Sequence, residues 1–397
     1  MSGLAAKRGV LLLSSVAASL VLAEAGLRVF YPTRNTLCQL DERVLFRLVP
    51  GARKLFVHHP MNGGGRIWVH VNSQGFRGHE LRQYGSSMRV VVYGDSFIMG
   101  EFSDLPDTFA QQLEGALTQR ARRPIEVVNA GVVAYGPDQS VLRMEHELSQ
   151  LNPQLVILAL FADNDLGDLL RNKLFRVGPN GGLEPNAFIL SDKVRAEFQQ
   201  AKRPLLVKMI ARQLERLRRS KRPPGTEQTP EAYRLQCEQE YSEYVEEGDN
   251  RVRNLLGDVY DADVALDPDS PSAKYKTRLL AALLKRAGAT ARHAGVPLVI
   301  LVIPSPIDVC EHFAIRVDAA RYPAYSRDTL TRVAAEAAQQ AGLPCLNLFE
   351  VFRANGPDAL YFPYGDDHWN AAGQSLAARE MADFLCALGL AGEAASP

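Results

Sequence analysis

Four short stretches of this chain hold residues able to carry out acyl transfer, each where a strand signal stops. "VVVYGDSF" ends a β-branched run at Gly94-Asp95, with Ser96 next. "NAGVVAYG" runs from Asn129 to Gly136, and "FADND" from Phe161 to Asp165. "YFPYGDDHWNAAG" sets His368 behind Asp366 and Asp367. A serine hydroxyl is a weak nucleophile until a base within hydrogen-bond reach takes its proton. His368 can be that base, and a neighbouring carboxylate can fix its tautomer and offset its charge. Asp366 is the expected partner; Asp367 adjoins the histidine and is expected to point elsewhere. An acyl-transfer oxyanion needs preorganised donors. The Ser96 amide, a backbone amide of the second stretch and the Asn164 side chain are the candidates. Taken singly, the serine fits a turn, the asparagine a cap and the histidine a helix start. Their joint occurrence, each past its own strand, points to serine-hydrolase chemistry.

The elements that must position these groups follow from periodicity. From Met88, short apolar strands alternate with amphipathic helices: "RVVVYG", then "DTFAQQLEGALTQRA" capped by Asp107 or Thr108, then "IEVVNAG". "PDQSVLRMEHELSQL" is predicted helical with Pro137 at its start, and Leu155 to Leu160 a third strand. After a break, "KYKTRLLAALLKRAGATARHAG", "VPLVILVIPSP", "AYSRDTLTRVAAEAAQQAG", "LPCLNLFEVF" and "AAGQSLAAREMADFLCALGL" read as helix, strand, helix, strand, helix. Alternation of this kind means a parallel sheet with right-handed crossovers. The expected fold is a flavodoxin-like three-layer α/β/α sandwich with a five-stranded sheet in the order 2-1-3-4-5. Ligands bind such sheets outside the carboxyl ends of the strands, where all four stretches fall.

Residues 171–272 interrupt the rhythm as a mainly helical insertion inside a domain at 88–390, with a tail at 391–397. Within it, "AKRPLLVKMIARQLERLRRSKR" (201–222) is a basic amphipathic helix and "EAYRLQCEQEYSEYVEEGDN" (231–250) an acidic one. The first expectation is that they pack on each other; contact with anionic lipid is the alternative. Residues 32–87 form an extension rich in Gly, Pro and His, with a strand and turn at "VNSQGFRG". His58-His59 lacks further ligands at metal-binding spacing and reads as a solvated loop.

Lys7 and Arg8 precede the apolar run "VLLLSSVAASLVLA", and the pattern continues to Tyr31. Read as one helix, residues 9–31 span a bilayer, which takes about 20 residues. The basic start places residues 1–8 in the cytoplasm and the remainder outside the inner membrane. "AEA" at 23–25 offers the alternative of signal cleavage and secretion. Lys plus Arg and Asp plus Glu are each 45, a balance that argues against nucleic-acid binding. Five dispersed cysteines argue against a disulfide scaffold or a zinc site. No metal and no cofactor are expected.

The four stretches resemble the blocks of the SGNH/GDSL hydrolase family. "GDSF" is similar to its first block, "NAGVVAYG" to its second, "ADND" to its third and "DDHWN" to its last. The resemblance implies Ser96 as nucleophile and oxyanion donor, Asn164 as side-chain oxyanion donor and His368 as base. The family's second-block glycine falls on Ala134, whose amide would be the remaining donor, with Gly136 as the fallback. The last block of the family is D-x-x-H, but Gly365 stands three before His368, so a D-x-H variant with Asp366 is expected. The resemblance implies an extracytoplasmic esterase that removes an acyl group, O-acetyl first among them, from a carbohydrate or other small ester. Two other readings share the fold. One is an O-acyltransferase modifying an exported polysaccharide beside a membrane acyltransferase partner; the other is a non-catalytic scaffold.

Overall fold

The computed structural model of the chain describes residues 2–30, 37–58, 65–83, 85, 87–186, 189–190, 204–207, 209–210, 229–246, 251–252, 259–363 and 366–391. Five parallel strands form its main sheet: β1 (Met88–Gly94), β2 (Ile125–Gly131), β3 (Leu155–Ala162), β4 (Leu298–Pro304) and β5 (Cys345–Asn347). Their order is β5-β4-β3-β1-β2, which is the expected 2-1-3-4-5. Every residue of β2, β3 and β4 is buried. Helices cover both faces, so β3 and β4 read as unbroken apolar runs rather than alternations. Val91, Val156 and Ile300 pack into one layer with Pro137–Leu151, Pro271–His293 and Thr329–Gln340. Val90, Ile157 and Leu301 pack into the other with Phe109–Ala121 and Ala371–Ala387.

The helix starts are chemically marked. Thr108 accepts from the Gln111 amide, Pro137 opens its helix, and Asn370 accepts from the Ala372 and Gly373 amides. "LPCLNLFEVF" needs correction as a continuous strand. Asn347 Oδ1 accepts the Phe349 amide at 3.0 Å and turns the chain, so the strand stops at Asn347 and Phe349–Ala354 is helical.

The extension before β1 is more ordered than its composition suggests. It holds two antiparallel pairs, Cys38–Asp41 with Leu45–Leu48 and Arg53–Val57 with Arg66–His70. The strand expected at Val71 is instead a single bridge to Arg77. The insertion holds short strand pairs as well as helices: Phe175–Val177 with Leu183–Pro185, and Ile189–Leu190 with Arg251–Val252. Pro230–Tyr241 is helical within the acidic stretch. Of the basic stretch, only 204–207 and 209–210 lie within the described residues. At the other end of the chain, Ser2–Phe30 is one helix. Its segment Lys7–Phe30, 24 residues containing an 18-residue window of mean hydropathy 2.0, is long and apolar enough to cross a membrane.

Candidate active site

Ser96 opens a single helical turn, Ser96–Met99, directly after β1. The Asp95 side chain caps that turn by accepting the Phe97 amide at 2.9 Å. The turn lies so close to β2 that a Cβ on Gly131 would fall 2.2 Å from the Met99 amide nitrogen, so only glycine fits there. Asn129 completes the join: its Nδ2 donates to Ile98 O at 2.7 Å and its Oδ1 accepts the Gly131 amide at 3.0 Å. The Ser96 turn is therefore held by two residues of the second sequence block.

His368 arrives from the loop before the last helix. Its Nε2 lies 2.8 Å from Ser96 Oγ. Its Nδ1 lies 3.0 Å from Asp366 Oδ1, and that same carboxylate oxygen accepts the His368 amide at 3.0 Å. Asp367 does not point away as the sequence reading expected. Its Oδ1 is also 3.0 Å from Nδ1, because the D-x-H spacing curls the chain round the ring and brings both carboxylates to one edge. Phe97 stacks on the imidazole with ring centres 4.8 Å apart, and Trp369 donates its indole N–H to Phe97 O at 3.2 Å. The ring is thus fixed in position and plane.

The electrostatics follow from these contacts. Burial opposes the charged imidazole, but Asp367 and Asp366 outweigh it and hold His368 well above the ordinary histidine range. Burial likewise raises the Asp366 carboxyl, and the hydrogen bond from His368 reverses this and holds it below its usual value. The arrangement can take the serine proton on Nε2 and stabilise the resulting imidazolium from Nδ1. Asp366, Asp367 and His368 are also close enough to share a cation. With Nε2 turned to Ser96 and Nδ1 to both carboxylates, however, the geometry is that of a proton relay.

The expected oxyanion groups reach the same sheet edge. Val132 N–H donates to Gly94 O at 3.1 Å, which lays the second loop beside the Ser96 turn. Ala134 in that loop has φ +59°, the left-handed region that favours glycine and the conformation expected where the resemblance calls for one. Asn164 is buried at the end of β3, which pairs directly with β1. Gly136 requires correction as a fallback donor. Its amide donates to Gln139 Oε1 at 3.0 Å and is committed to starting its own helix.

The sequence reading missed Arg77. This buried guanidinium, on the N-terminal extension, donates from Nη1 to Met99 O and Gly100 O and from Nη2 to Ser103 O at 2.6 Å. It pins the segment that leaves the Ser96 turn. The available signal was a single arginine in "GFRG", next to a turn glycine. His58, expected in a solvated loop, donates from Nε2 to Glu101 O, 3.2 Å away, with its ring 4.5 Å from that of Phe102. Phe102 in turn sits 4.7 Å from the His368 ring. His59 lies outside the described residues.

No family model and no curated protein matches the chain. Among solved structures it is similar to a lipase/acylhydrolase from Enterococcus faecalis, at 11% identity and TM-score 0.37, covering 76% of this chain and 96% of that one. It is also similar to a catalytic mutant of an acetylxylan esterase from Geobacillus stearothermophilus, at 11% identity and TM-score 0.36, covering 80% of this chain and 100% of that one. A psychrotrophic esterase from a Pseudoalteromonas species gives 13% identity and TM-score 0.35, covering 76% and 97%. At these scores the likenesses carry no weight of their own; the fold rests on the observed strand order and the site on its distances.

Proposed function

We propose that this chain is a serine esterase of SGNH type, held at a membrane by its N-terminal helix with the catalytic domain on the extracytoplasmic side. The observation that carries the reading is the continuous relay from Ser96 Oγ through His368 to Asp366 and Asp367, with steps of 2.8, 3.0 and 3.0 Å. Ser96 attacks the ester carbonyl as His368 takes its proton. The oxyanion is met by the Ser96 and Ala134 amides and the Asn164 side chain. His368 then protonates the leaving alcohol, and water repeats the sequence to release the acid.

A cleft beside the site supports a sugar-borne ester. It has a volume of about 450 Å3 and is lined by Arg66, Phe102, Asp104, Asp107, Phe362 and Asn370 among others. Aromatic faces beside carboxylates suit a ring carrying hydroxyls, and Phe102 joins the cleft to His368. The acyl group we assign is small, acetyl first. The anchor assignment rests on Lys7 and Arg8 preceding the helical stretch 9–30, about 33 Å long, against the ~30 Å a bilayer core requires.

The test is release of p-nitrophenol from p-nitrophenyl acetate by the full chain in detergent, alongside Ser96→Ala and His368→Ala. Activity lost in both supports the serine mechanism. Activity equal in all three rejects it. Adding an oligosaccharide acceptor and finding acetyl transferred to it would convert the reading from esterase to transferase.

A further inference from the structure

The interrupting segment 171–272 returns to the sheet just before the helix Pro271–His293, and there it grips the turn that carries Asn164. Asp261 bonds both to this turn and to Lys276. Its main-chain N–H donates to Asp163 O at 2.6 Å. Its Oδ2 accepts the Gly167 amide at 3.0 Å. Its Oδ1 accepts from Lys276 Nζ at 2.8 Å. One residue therefore holds both ends of Asp163–Gly167, with Asn164 between them. Ser305, at the end of β4, donates to Asp163 Oδ2 and fixes the same turn from the other side.

The grip is tight and dry. The side chains of Asp261, Asp263 and Lys276 are fully buried, and Lys276 bridges both carboxylates at 2.8 Å. Cys237 and the two aspartates could by spacing hold a metal ion, but the lysine ammonium already occupies the position of the cation. At Gly167 an added Cβ would lie 2.6 Å from Asp261 Oδ1 and from Arg171 Nη2, so the helix after Asn164 is pressed onto Asp261. Burying three charges is costly unless geometry and hydrogen bonds compensate. Here the compensation falls on the turn that bears the candidate oxyanion donor.

We infer that Asp261, held by Lys276, is a positioning residue that sets the Asn164 amide for the oxyanion. The inference rests on the esterase reading above and assigns a catalytic consequence to the interrupting segment. Asp261 touches no substrate and acts only through the Asp163–Gly167 turn. Oxyanion donors must be preorganised to within a fraction of an ångström to be effective, so loosening this turn lowers the rate without altering ground-state binding.

The test compares kcat and KM for p-nitrophenyl acetate in the full chain and four variants: Asp261→Asn, Gly167→Ala, Asn164→Ala and the double variant Asp261→Asn/Asn164→Ala. Gly167→Ala strains the same contact without removing any charged group, so it serves if Asp261→Asn does not fold. Removing an oxyanion donor costs about a hundredfold or more in kcat, which is expected for Asn164→Ala. Asp261→Asn and Gly167→Ala are expected to lose about tenfold or more in kcat at unchanged KM. In the Asn164→Ala background, Asp261→Asn should cost less than about twofold more, because a donor already absent cannot be misplaced. Wild-type kcat in folded Asp261→Asn and Gly167→Ala, or full multiplication of the two losses in the double variant, overturns the inference. Full activity in Asn164→Ala would instead overturn the oxyanion reading on which it stands.

Discussion

Replacing Arg77 by methionine tests whether the N-terminal extension is part of the site's foundation. Arg77 is 3% exposed, and its guanidinium serves the carbonyls of Met99, Gly100 and Ser103. Hydrogen bonds to a charged donor are worth about 1.5–3 kcal/mol each, net of water, and three sharing one group do not add in full. Methionine fills much of the space but leaves three buried carbonyls without that donor. The expected loss is about 3–5 kcal/mol of unfolding free energy. Burial lowers the Arg77 pKa to about 10, so the side chain remains charged at neutral pH and the pairing survives there. Arg77→Lys keeps the charge but not the fork that reaches three acceptors, and should recover about half of the loss. Urea unfolding monitored by tryptophan fluorescence gives the stabilities, and p-nitrophenyl acetate turnover gives the activity. Because the pinned segment leaves the nucleophile turn, kcat should fall with stability, by about tenfold or more. An Arg77→Met protein that loses under about 1 kcal/mol and keeps its kcat would show that the extension merely lies against the domain.

Three further outcomes follow from individual residues. Ala134→Gly should raise stability by about 1 kcal/mol, seen as a higher urea midpoint, because φ +59° costs an L-residue about that much. Catalysis needs neutral His368, whose pKa its carboxylates raise, so activity should fall on the acid side at a higher pH than for an ordinary histidine. Asp367→Asn should move that limb of the kcat/KM profile to lower pH, and an unmoved limb would remove Asp367 from the relay. Burial first, against the hydrogen bonds from Tyr260 and Tyr325, raises the Asp308 pKa to about 7. Raised above its unfolded value of 3.8, it contributes stability below about pH 4 that is lost as pH climbs through 7. The urea midpoint of Asp308→Asn should therefore fall less between pH 5 and 8 than that of the unaltered chain, and parallel curves would contradict this.

The sheet was legible because each of its longer strands is a mostly buried run, rich in apolar residues, between turn residues, a pattern that survives without knowledge of its neighbours. β5 was read too long because Phe349, Val351 and Phe352 are as apolar as strand residues. Only the Asn347 side chain, accepting the Phe349 amide, stops the strand, and single hydrogen bonds of that kind leave no periodic trace. The hairpin Arg53–Val57 with Arg66–His70 was missed for a related reason. Its strands alternate weakly, with basic residues on the exposed face and a glycine-rich connection between them. In the site, Ser96, His368 and Asp366 could be named from their blocks because chemistry restricts the residue types. Asp367 could not be placed, since the direction of a side chain next to a histidine depends on how the loop curls. Arg77 and Asp261 were invisible for the same physical reason: each acts through backbone groups of a distant turn, and backbone carbonyls and amides carry no sequence signature.

The central claim is that Ser96 is a nucleophile activated by His368. The most direct measurement is reaction of the full chain with a fluorophosphonate, followed by mass spectrometry of the peptide containing residues 90–101. The account predicts one phosphonyl adduct, located on Ser96 and absent in Ser96→Ala. It also predicts that labelling slows by about a hundredfold or more in His368→Ala, since general-base assistance contributes on that scale. No adduct on Ser96, or one that forms equally fast without His368, would contradict it.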